Sequence, residues 1–142
     1  MTKSSEKQFE FYLEEVCPKG DLIFRLAYLL ILNKEAAWTC VLHTFDHLIM
    51  ELPKIASDVS FHLVRSCYAS YKAQDQWPFP DSDPMSQALS VLSSEERASL
   101  GSVDIIGLNV SLSAKALNKD IFTLRNELSS ARQKFINVNI PA

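Results

Sequence analysis

Three prolines within seven residues, Pro78, Pro80 and Pro84, divide this chain of 142 residues. The stretch around them, Asp75-Gln76-Trp77-Pro78-Phe79-Pro80-Asp81-Ser82-Asp83-Pro84, cannot be read as regular helix, because proline lacks the amide donor and restricts the residue before it. Its spacing favours extended geometry, and its acids favour water. Residues 75–85 therefore read as a linker between a helical domain over 1–74 and a second over 86–142. Trp77 and Phe79 are unusual for a tether and are expected to dock.

On either side the apolar residues recur at helical spacing, and no alternation is long enough for a strand. Only three glycines occur, which also disfavours a turn-rich sheet fold. An all-α protein is the expectation. A first helix is expected over Ser5–Val16, with Ser5 and Gln8 as a capping box and Phe9, Tyr12, Leu13 and Val16 on one face. Cys17-Pro18-Lys19-Gly20 should break it, and Asp21 should cap a second helix to about Leu32 with Leu22, Leu26, Leu29 and Leu30 inward. A third runs from Asn33 to about Leu52, before Pro53. A fourth begins near Ser57 or Asp58 and ends near Ala73. Beyond the linker, Ser93 and Glu96 form a capping box that opens a helix to about Ile106, stopped by Gly107. A short helix over Ser111–Leu117, a turn at Asn118-Lys119-Asp120 and a last helix over Ile121–Ile136 give a helix-turn-helix shape, with Leu124, Leu128, Ala131 and Phe135 inward.

Composition narrows the function. Apolar residues are 47% and charged residues 22%, enough to bury a core. No apolar run approaches the ~18 residues that span a bilayer, so no membrane association is expected. The polar start, Met1–Glu10, is no secretory leader, and three cysteines without a C-x-x-C fit a reducing cytosol, so a cytoplasmic location is expected. Cys17, Cys40 and Cys67 read as small core residues. The net charge is −3, and no segment is strongly basic, which argues against tight nonspecific nucleic-acid binding. No nucleophile elbow, Cys/His/Asp constellation or phosphate loop occurs, so neither catalysis nor a cofactor is expected. His43 and His47, four residues apart around Asp46, could face one metal ion. Only His62, folding back, could add a third ligand, and no metal site is expected.

The stretch LSSEERASLGSVDIIGLNVSLSAKALNKDIFTLRNELSSARQKF, Leu92–Phe135, resembles region 4 of the extracytoplasmic-function sigma factors of RNA polymerase. The resemblance rests on Leu92, Glu96-Arg97, Leu100, Gly107-Leu108, Ala114, Ala116-Leu117, Thr123, Leu128, Ala131-Arg132 and Lys134. Ile23–Phe45 resembles the start of region 2 through Arg25-Leu26-Ala27-Tyr28, Asn33-Lys34-Glu35 and Thr44-Phe45, and Phe61–Tyr71 matches its last helix more weakly. The resemblance implies transcription initiation, with RNA polymerase core or an anti-sigma factor as protein partner. It also implies promoter DNA against Lys119, Thr123, Arg125, Asn126, Arg132 and Lys134, a set whose alternative is a solvated helix face.

Several positions depart from the family pattern. Ala36-Ala37-Trp38-Thr39 and Leu42-His43 replace an acidic face, Asp75-Gln76 replaces basic residues, and Glu127 and Ser130 stand where arginine is common. A degenerate regulator that binds an anti-sigma factor or itself is thus a second reading, and a plain helical interaction module a third. On the third helix Trp38, Leu42, Phe45 and Ile49 form a stripe that overlaps the core stripe of Ala37, Val41, Phe45 (with Thr44), Leu48 and Leu52. Trp38 and Leu42 either pack under Trp77, Phe79 or the first helix, or form a partner face with Thr39, His43 and Asp46.

Overall fold

The computed structural model describes residues 6–7, 10–51, 59–74 and 76–137, the side chain of Leu13 excepted. Among them are seven α-helices and no strand: α1 Gly20–Ile31, α2 Lys34–Glu51, α3 Val59–Lys72, α4 Pro84–Leu89, α5 Ser94–Leu100, α6 Val110–Ala116 and α7 Ile121–Asn137. The all-α expectation holds. The expected features at Ser5, Gln8, Phe9, Leu52, Pro53, Ser57 and Asp58 lie outside the described residues, as does Asp75.

The helix boundaries follow local chemistry, with informative exceptions. Cys17-Pro18-Lys19-Gly20 does not break the chain. A π-helical turn over Tyr12–Val16 passes into a 3₁₀ turn over Cys17–Lys19, with Pro18 in the first turn, where its missing amide costs nothing. α1 follows directly, so Asp21 lies inside its first turn and is not its cap. Leu32 ends α1 in the left-handed conformation at φ 60°, and its amide donates to the Tyr28 carbonyl. Asn33 then accepts from the Ala36 amide at 3.0 Å and starts α2. Ser93 and Glu96 form the expected reciprocal box at α5. That helix widens into a π-helical turn over Gly101–Ile106 and stops at Gly107, whose φ of 91° suits glycine.

The proline stretch is fastened to the body. Asp81 accepts from the Lys34 amide at 2.9 Å, satisfying an orphan donor at the start of α2, while its own amide donates to the Leu32 carbonyl at 2.7 Å. Trp77 docks as expected: its ring stacks on Tyr71 at 5.7 Å, and its indole donates to the Tyr71 carbonyl. Phe79 does not dock and is 91% exposed. Regular helix returns within the stretch, since Asp83 caps α4 and Pro84 occupies its first turn.

α1 is the central helix. Ile23, Leu26, Ala27, Leu29, Leu30 and Ile31 are all buried, so apolar residues surround it rather than forming one stripe. α2 and α3 pack against it, as do α5 and the π-helical turn, while α6 and α7 close over α5 and α3. One apolar cluster therefore joins Ile23, Leu26, Leu30 and Leu63 to Ala98, Leu108, Ala114, Leu117 and Leu124. Residues from both sides of the proline stretch share this core. Leu124, Leu128 and Ala131 of α7 face inward as expected, but Phe135 is 41% exposed.

Candidate functional site

α7 and the turn before it carry the six residues implied for DNA contact, and the structure divides them into two groups. Thr123, Arg125 and Asn126 are exposed on the outer face of α7. Arg125 makes no ion pair among the described residues. The other three cations are held by carboxylates of the same chain. Lys119 Nζ reaches Glu95 at 2.6 Å and Glu127 at 3.1 Å, its side chain only 10% exposed and lying over the Tyr68 ring. Arg132 grips Asp104 with two donors, at 2.6 and 3.0 Å. Lys134 reaches Glu96 at 2.9 Å.

Glu95 and Glu96 organise this network from adjacent positions on α5. Glu95 also accepts from Lys72 and from the Tyr68 hydroxyl. Burial raises its pKa, but the donors Lys119, Lys72 and Tyr68 outweigh that and hold it at about 2. Glu96 is buried too, and its donors, the Ser130 hydroxyl, the Ser93 amide and Lys134, bring it likewise to about 2. The same contacts push Tyr68 upward, first through burial and then through Glu95. Glu127 and Ser130, the two departures on α7, thus have internal partners: Glu127 binds Lys119, and Ser130 donates to Glu96.

The second candidate surface lies on α2. Trp38, Thr39, Leu42, His43 and Asp46 are all exposed along its outer side. Trp38 packs under neither Trp77 nor Phe79. It stacks on Phe24 of α1 at 4.3 Å with its other face open, and is 52% exposed, while Leu42 is 63% exposed. Ile49 at 46% and Met50 at 81% extend the apolar surface by two turns. Phe45, from the same stripe, turns inward against Tyr12. Ile49 stood in the sequence stripe, but Met50 did not; its spacing from His43 and Asp46 is the signal that would have found it.

The histidines take separate roles. His47 meets the Ser66 hydroxyl at 2.9 Å and lies 3.8 Å from Glu51, whereas His62 lies 3.2 Å from Arg65. Among the described residues no three His, Cys, Asp or Glu side chains gather as a metal ion would require. Nor is any helix there long and apolar enough to cross a membrane. No protein-family model matches this sequence, and no curated protein matches it.

Proposed function

We propose that this chain is a sigma-like regulatory protein that binds a protein partner through the outer face of α2 and does not itself read a promoter. The observation that carries the reading is the internal pairing of Lys119, Arg132 and Lys134, three of the four cations that a promoter-binding helix would offer to phosphate. A cation already matched to a carboxylate of its own chain releases few counterions on meeting DNA. The α2 face is the opposite case, an aromatic and aliphatic surface with little charge, of the composition that forms interface cores. An anti-sigma factor, RNA polymerase core or a second copy of the chain would suit it.

The competing reading is a promoter-binding sigma factor, which draws on the exposure of Thr123, Arg125 and Asn126 together on α7. The two readings part in one experiment. The full chain is titrated against fluorescent duplex DNA and against RNA polymerase core, its self-association is followed by light scattering, and each measurement is repeated with Trp38→Asp. We expect duplex binding only at the nonspecific level of roughly 10⁻⁴–10⁻⁶ M. We also expect a protein complex or self-association that Trp38→Asp removes. Losing the Phe24 stack, about 0.5–1.5 kcal/mol, and the covered half of the ring should lower the melting temperature by several degrees and leave the chain folded. Nanomolar, sequence-dependent duplex binding, or specific initiation with polymerase core, would overturn the proposal.

A further inference from the structure

Two cysteines meet inside the α2–α3 seam. Cys40 of α2 and Cys67 of α3 are both wholly buried, and neither is in a disulfide. The Cys40 thiol points at the Cys67 carbonyl oxygen, 3.8 Å away, which brings the two residues face to face across the seam. Thr44, one turn beyond Cys40 and also fully buried, donates its hydroxyl to the Cys40 carbonyl at 2.7 Å. The two sulfurs are not equivalent. The Cys67 S–H supports a thiolate on Cys40 and lowers its pKa, whereas Cys67 is raised by that same contact and by burial. A cleft of about 510 Å³ runs along the same seam, lined by His43, His47, Ala69, Ser70, Ala73 and Gln74. His43 follows Cys40 by one helical turn and Ser70 follows Cys67 by one turn, so the cleft ends one turn from the buried pair.

We propose that Cys40 and Cys67 are an oxidisable dithiol, which hydrogen peroxide closes into a disulfide tying α2 to α3. The Cys40 thiolate attacks one oxygen of the peroxide and breaks the O–O bond. That leaves a sulfenic acid on Cys40 and a hydroxide, which takes up the proton released by the Cys40 thiol and becomes water. Cys67 then attacks the Cys40 sulfur, the S–O bond breaks, and the leaving hydroxide takes the Cys67 proton as a second water. Two thiols are oxidised and one peroxide is reduced to two waters. The inference does not depend on what α2 binds, but the cross-link bears on that face, because Cys40 lies between Trp38 and Leu42 on the inner side of the same helix. Cys17 is exposed and would pair between molecules, so it is removed from the test.

The experiment uses the full chain carrying Cys17→Ser, treated with hydrogen peroxide while folded. Intact mass should fall by two hydrogen atoms, and digestion should give one cross-linked peptide holding Cys40 and Cys67. The melting temperature should rise, and dithiothreitol should reverse both changes. With Cys67→Ala added, oxidation should stop at a Cys40 sulfenic acid trapped by a 1,3-dione reagent. Cys67→Ser serves the same purpose should the alanine variant fail to fold. Folded protein that keeps both thiols, or gains oxygen without a cross-link, while the same chain cross-links in urea, would overturn the proposal.

Discussion

The Arg97 guanidinium donates from Nε to the backbone carbonyl of Leu29 at 2.7 Å, a contact between residues 68 positions apart. Nη2 reaches the Leu30 carbonyl at 3.1 Å, and Nη1 reaches that of Leu92. One side chain on α5 thereby satisfies the last carbonyls of α1, which have no partner inside their own helix. Replacing it with Met keeps the length and strands those acceptors in the core. Arg97→Met should cost roughly 2–4 kcal/mol in chemical denaturation, and Arg97→Lys should recover little, since one ammonium cannot span three separated carbonyls. A melt unchanged from wild type would remove the clasp from any account of the fold.

Stability should fall in acid over a defined window. Glu95 and Glu96 sit at about 2 in the folded chain against an ordinary value of 4.5, so the unfolded chain binds more protons between those limits. Their contribution is complete above about 4.5 and disappears as pH falls through about 2. Denaturation midpoints measured from neutral pH downward should show this loss, and Glu95→Gln with Glu96→Gln should flatten the slope within that window.

Lys119 and Arg125 should respond oppositely to alanine substitution. Lys119 bridges two carboxylates in a nearly closed setting, so Lys119→Ala should lower the melting temperature by leaving Glu95 and Glu127 without it. Arg125 is exposed, so Arg125→Ala should leave the melt unchanged. It should also reduce the salt slope of residual duplex binding by about one. Thermal melts paired with DNA titrations at several salt concentrations would check both.

Gly101, where α5 passes into the π-helical turn, lies tightly against α1. A Cβ there would lie 2.7 Å from Leu26 Cδ1 and 3.1 Å from Leu29 Cδ2, and Leu26 is itself buried. Its backbone, at φ −64°, would accept any residue, so the penalty is one of packing alone. Gly101→Ala should destabilise by about 1–3 kcal/mol, and the double variant with Leu26→Ala should lose less than the sum of the two single losses. A double-mutant denaturation cycle measures that coupling.

Much of the helix layout is legible in the sequence because it rests on local chemistry. The Ser93–Glu96 box, Gly107 as a stop and Asp120 before α7 act within a few residues, and each acts where read. Asp83-Pro84 was equally local, a cap followed by a first-turn proline, but it was hidden by the prolines before it. The choice of central helix was less visible. The wide apolar arc on α2 fits either a packed helix or an exposed patch, and it is α1, with Ile23, Leu26, Ala27 and Leu29–Ile31 buried, that is enclosed. Least visible were the contacts of the candidate surfaces. Arg97 meets backbone carbonyls, which carry no residue signature, and Lys119 meets Glu127 across a turn and Glu95 from another helix. No spacing rule along one helix reports such pairs.

The shared core has a consequence for synthesis. Ile23, Leu26 and Leu30 leave the ribosome well before Ala98, Leu108, Leu117 and Leu124, against which they finally lie. Until those residues emerge, the first helices present an uncovered apolar face of the kind that holdase chaperones bind. A nascent chain arrested near the proline stretch is therefore expected to be a chaperone client, and the same chain completed and released from the ribosome is not.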